Sequence, residues 1–221
     1  MKPSSLLHII VVLIVSVPLL YLAIIWNSVP AVIPIHFDIH MKPDQMAGKS
    51  ELWVPTAIMA SCALFVYVLM NNINKIDPKR NGAPIPASFR RLGVVVVAFV
   101  SFISLLIIIQ CTSRGHMSIA LLVPAIGLLF ACIGNYLPAL KPNYFAGIRV
   151  PWALNSESNW KKTHQLAGKL WFWGGLCLAF ISLFLPTAAG ILVLLATITV
   201  LSVIPAVYSY QLFRKEKANQ S

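Results

Sequence analysis

Three ionisable side chains alternate within one short stretch, IPIHFDIH: His36, Asp38 and His40. In an extended chain successive residues point to opposite faces. His36, Asp38 and His40 then share one face with Pro34, and Ile33, Ile35, Phe37 and Ile39 share the other. Two imidazoles flanking a carboxylate suit a metal ion or a proton-handling site. The same alternation suits the wet side of a half-buried strand, and that reading is preferred because such spacing arises readily by chance. Lys42-Pro43-Asp44 reads as the turn that follows. A second polar stretch, GNYLPALKPNYFAGIRVPWALNSESNW, spans 134–160. Its Arg149 has five donors, which suit a lipid headgroup, helix-end carbonyls or an anionic group. Asn135 is expected to pair across helices. His164 has no carboxylate at catalytic spacing and reads as structural. The chain has no HExxH, no GxSxG and no intramembrane aspartate pair, so neither catalysis nor a cofactor is expected. Cys62, Cys111, Cys132 and Cys177 form no CxxC pair; they read as buried free thiols, with no disulfide and no metal site.

The elements that must position these residues are apolar. Of 221 residues, 58% are hydrophobic and 10% charged, against roughly a quarter charged in soluble domains. Six apolar runs approach the roughly 20 residues a bilayer demands. They lie near Leu6–Trp26, Leu52–Met70, Leu92–Cys111, Met117–Leu137, Leu166–Leu185 and Ala188–Tyr210. The first is too long for a signal peptide and reads as a retained helix, with Pro18 as a kink site. Pro186 and Gly190 break the last two into a hairpin. The expected fold is an all-α membrane protein: a bundle of six transmembrane helices with a short extended outer segment and an interfacial inner loop. Three parts follow: a two-span unit over 1–72 carrying IPIHFDIH, a basic loop over 73–91, and a four-span unit over 92–221.

With the N-terminus in the cytoplasm, fourteen of the 17 basic residues fall inside, leaving Lys42, Lys49 and Arg114 outside. Positive charge collects on the cytoplasmic side, so both termini are expected there. The net charge of +11 then faces lipid headgroups, and no direct nucleic-acid binding is expected. The loop Asn71–Arg91 reads as a topology anchor. The stretch 134–160 becomes cytoplasmic. Pro138, Pro142 and Pro151 forbid a continuous helix through it. Gly134, Gly147 and the asparagines suit turns, and Tyr136, Tyr144, Phe145 and Trp152 suit headgroup depth. Asn155 or Ser156 is an N-cap for the next helix. On that helix Trp160, His164, Ala167 and Trp171 form one stripe, and Lys161, Gln165 and Lys169 another.

These residues carry a resemblance. The stretch from Gly134 resembles the signature of the SdpI family of bacterial membrane proteins. It matches at Gly134-Asn135, Lys141-Pro142-Asn143, Gly147-Ile148-Arg149, Pro151-Trp152, Leu154 and Trp160. Val150 and Ala153 stand where the family has threonines. The IPIHFDIHMKPDQMAGK segment resembles the small domain of unknown function that often precedes the signature, with Met41 where the family has glycine. The resemblance implies a protein of the bacterial cytoplasmic membrane that gives immunity to a secreted toxic peptide met on the outer face. It also implies a receptor that holds a transcriptional repressor at the cytoplasmic face. A lipid or peptide transporter is the alternative. It is weakened because all six acidic residues lie in loops, at run ends or in tails, whereas coupled carriers place ionisable groups inside the bilayer.

Overall fold

The computed structural model describes residues 3–37, 43–80, 82–112 and 121–219. Helix α1 runs Pro3–Ile25 straight through Pro18. A two-stranded antiparallel hairpin follows, β1 Val32–Phe37 and β2 Pro43–Gly48. Then come α2 (Trp53–Asn71), the short α3 (Ile73–Ile76), α4 (Ala87–Thr112) and α5 (Leu122–Tyr136). After an irregular stretch, α6 (Pro151–Asn155), α7 (Glu157–Ser182) and α8 (Thr187–Ala218) complete the chain. This is an all-α membrane protein carrying one small hairpin. Among the described residues five helical segments are long and apolar enough to cross a membrane: Leu6–Ser28, Lys49–Asn71, Ala87–Thr112, Leu122–Ala139 and Thr187–Ala218. The expected span at Leu166–Leu185 falls largely in α7, which is not among them; Gln165 and Lys169 lower its hydropathy. Large apolar side chains such as Leu13, Ile24, Phe65, Phe184 and Leu192 point outward, as lipid-facing residues do and soluble cores do not.

The expected turn at Lys42-Pro43-Asp44 is corrected. Pro43 and Asp44 belong to β2, where Phe37 pairs with Pro43 and Val32 with Gly48. A second strand was not foreseen, because PDQMAG lacks the β-branched and aromatic residues that mark strands. Tertiary pairing overrides that propensity, and two proline-bearing strands of six residues suffice for an irregular ladder.

The contacts divide into two compact units, Met1–Val68 with Gly93–Leu122, and Leu69–Leu92 with Val123–Ser221. In the first, Ile33 of β1 is fully buried among Leu22, Val29, Leu52, Ile108 and Cys111. Burying such a side chain contributes about 1.5–3 kcal/mol, so the hairpin is anchored through Ile33, while Ile35 is exposed. A separate cluster of Val11, Val15, Ala63, Tyr67 and Val97 packs α1, α2 and α4 together. In the second unit α5 and α7 touch backbone to backbone. A Cβ on Gly134 would stand 2.4 Å from the Phe172 nitrogen, and one on Gly127 would stand 2.6 Å from the Ala179 nitrogen. Small residues at such spacing are the usual device for close helix approach in lipid.

Candidate functional site

The polar stretch 134–160 folds as a set of backbone turns held by buried side chains. Asn143 is fully buried. Its amide donates to the Lys141 carbonyl at 2.9 Å and the Ala146 carbonyl at 3.0 Å. Its Oδ1 accepts from the Phe145 and Ala146 N–H groups at 2.8 and 2.7 Å. Four bonds use both amide hydrogens and both lone pairs, so this one side chain closes the KPNYFA turn.

His164 supplies the second anchor. It lies on the first turns of α7, fully buried, with its ring stacked on Trp160 at 4.0 Å. The Ile148 N–H donates to His164 Nε2 at 3.0 Å. Nε2 therefore carries no proton, and Nδ1 donates to the Trp160 carbonyl at 2.9 Å. Burial pushes the imidazole pKa down to about 4, with the Trp160 bond opposing that shift. Gly147 makes this approach possible. Its φ is +106°, and a Cβ there would stand 2.3 Å from His164 Nε2. Trp160, also buried, donates Nε1–H to the Leu140 carbonyl at 2.8 Å. The stripe of Trp160, His164 and Ala167 is buried, while Lys161, Gln165 and Lys169 are exposed.

A third anchor comes from outside the motif. Asp77 is buried. One carboxylate oxygen accepts the Lys79 N–H at 2.9 Å and the other accepts the Tyr144 N–H at 2.7 Å. Lys79 Nζ donates to the Leu154 carbonyl and stands 5.4 Å from the Tyr144 ring centroid. The basic loop is thus tied to the motif loop at two points, beyond the topology anchor it was read as. Beside them lies a cavity of about 640 Å³ with Lys79, Lys141 and Glu157 in its wall.

The remaining motif residues have other places. Arg149 is exposed and donates to the Tyr144 carbonyl at 2.8 Å, leaving further donors toward solvent. Pro151 opens α6, where its missing N–H costs nothing. Trp152 packs against Tyr210 and Phe213 of α8, and its buried Nε1 has no hydrogen-bond partner among the described residues. Asn135 is exposed; its neighbour Gly134 makes the close contact with α7. Of the two candidate caps, Ser156 is the one that accepts from the Asn159 N–H, at 3.1 Å.

Sequence reasoning missed a polar joint between α7 and α8. Asn159 donates to the Ser209 carbonyl at 2.9 Å, and its Oδ1 accepts from Ser209 Oγ at 2.5 Å and Thr163 Oγ1 at 3.0 Å. All three residues are fully buried. The available signal was the i, i+4 spacing of Asn159 and Thr163 on the face that carries Trp160.

In the hairpin, His36 Nδ1 lies 2.6 Å from Asp44 Oδ1, with both side chains largely exposed. Asp38 and His40 lie outside the described residues. The described residues contain no group of three His, Cys, Asp or Glu side chains able to hold a metal ion.

Two family models match the chain. Residues 139–209 match the SdpI/YfhL protein family, and residues 13–60 match a domain of unknown function (DUF1648). The chain is similar to the Immunity protein SdpI of Bacillus subtilis (strain 168), with 24% identity over 216 residues, covering 94% of this chain and 96% of that protein. No solved structure matches. The resemblance read from the motif therefore extends along both halves of the chain.

Proposed function

With its C-terminal part matched to the SdpI/YfhL family as the premise, we propose that this chain gives a bacterium immunity to a secreted antimicrobial peptide that attacks its cytoplasmic membrane. One observation carries the reading: nearly end-to-end similarity to a protein named for immunity. Two membrane-disposed polar segments, each held by specific contacts, supply the surfaces that such a role needs. The hairpin is the outward, sensing segment, and the motif loop is a cytoplasmic scaffold. Both termini are cytoplasmic, a placement that the distribution of basic residues supports. The chain crosses six times, the Leu166–Leu185 run included. In support, α5 is apolar enough to span, and α7 lies against its backbone from Gly134 to Gly127.

Cells of a peptide-sensitive strain expressing the chain should survive a membrane-active secreted peptide at doses that kill the parent strain. Unchanged killing, with the protein present in the membrane fraction, rejects the reading. A reporter fused after Asn155 should behave as cytoplasmic, and its export rejects the orientation. The signalling arm of the resemblance adds a repressor held at the cytoplasmic face. It is tested by whether a DNA-binding protein sediments with membranes containing this chain only after peptide challenge.

A further inference from the structure

A cavity of about 620 Å³ lies within the first unit, walled by the hairpin, the head of α2 and the last turns of α4. Ile33 and Ile35 of β1 face Val54, Ile103, Leu106 and Ile107 across it. The wall is mostly branched hydrocarbon, completed by Pro55, Gln110 and Cys111, so an apolar occupant is favoured over water. Glu51 is the one charged residue in the lining. Among the described residues nothing pairs with its carboxylate, and it is exposed. Among the described residues, the charged side chains nearest in sequence point to other partners. Lys49 donates to the Trp26 carbonyl at 3.1 Å and sits 4.6 Å from that ring centroid. Asp44 is held by His36. The cavity therefore combines a largely apolar interior with one carboxylate that no described residue pairs.

That combination discriminates between apolar occupants. A phospholipid with an anionic headgroup would bring its acyl chain in, but its phosphate would meet Glu51 with the same sign. A cationic amphipathic peptide, with Leu- or Phe-type side chains on one face and Lys or Arg on the other, matches both features. We propose that this cavity receives the apolar side chains of a cationic amphipathic peptide, with a lysine or arginine of that peptide paired to Glu51. The proposal rests on the immunity reading and names the chemistry of the peptide that reading leaves open.

The test uses the full chain in nanodiscs of zwitterionic lipid, with empty discs as reference. The probes are a fluorescein-labelled 14-residue peptide of leucine and lysine and its leucine/glutamate counterpart. The Leu/Lys peptide should bind loaded discs at least about tenfold more tightly than empty discs, equivalent to about 1.4 kcal/mol. The Leu/Glu peptide should show no such gain. Ile103→Trp, which fills the cavity, should abolish the gain. Glu51→Gln, a mild change at an exposed position, should reduce it several-fold, so the result does not depend on the tryptophan variant folding. Equal gains for the two peptides, or a gain unchanged in both variants, would overturn the proposal. Cell survival separates the two claims. Protection without cavity binding sinks the peptide site alone, whereas cavity binding without protection sinks the immunity reading.

Discussion

The hairpin and the motif loop are both polar interruptions in an apolar chain, yet they are held by opposite means. The motif loop is organised by side chains bonding to backbone, with Asn143, Asp77, His164 and Trp160 all buried. The hairpin is organised by its own backbone ladder and one buried isoleucine, and its His36–Asp44 contact is exposed. A buried polar group left unpaired costs about 1–3 kcal/mol, so the loop tolerates little change. An exposed pair contributes at most about 1 kcal/mol, so the hairpin's polar face is free to vary or to meet a partner. Rigidity and accessibility are thus assigned to different segments.

The sharpest way to break this contrast is Gly147→Ala. The positive φ and the blocked Cβ position together should cost about 4 kcal/mol, from backbone strain plus overpacking against a ring already fixed by stacking and two hydrogen bonds. Thermal unfolding in detergent should show a large loss, and unchanged stability would mean that the His164 anchor is loose.

Acid should act on the same anchor. The folded imidazole has a pKa of about 4, below its ordinary 6.5, so the fold favours the neutral ring. Its stabilisation is fully present above about pH 6.5 and is lost as pH falls toward 4, amounting to about 3 kcal/mol at the limit. A His164→Gln variant should lose that dependence. If its stability profile between pH 7 and 4 still parallels the parent, other groups govern acid sensitivity.

Asp77→Asn keeps the shape but turns an N–H donor toward an N–H donor. A loss of about 2 kcal/mol is expected, together with faster amide exchange at Tyr144. No change at Tyr144 would show that the two loops are not coupled through this carboxylate. His36→Ala, on the other segment, should alter stability by no more than about 1 kcal/mol. A larger effect would erase the distinction between the two regions.

Much of this arrangement was legible before folding. The prolines of the motif loop, the Ser156 cap and the Trp160–His164–Ala167 stripe follow from local rules, because each depends on residues within a few positions. Ile33 is buried as the alternation of β1 suggested, while Ile35, expected on the same face, is exposed. Asp77 was not legible. It read as a lone acid in a basic loop, and its partner Tyr144 lies 67 positions away. The Asn159–Ser209 joint and the pairing of β2 were hidden for the same reason, since contact at long separation leaves no periodic trace.

The amino-acid sequence by itself therefore determined the class of protein, the membrane-crossing character and the places where helices must stop. Hydropathy, proline chemistry and capping are local properties and act before any packing. Only the tertiary structure decided which polar groups are buried and what satisfies them. That choice depends on which backbones glycines such as Gly127 and Gly134 allow to meet. It also decided that Glu51 is the one charged residue among the described residues lining the apolar cavity.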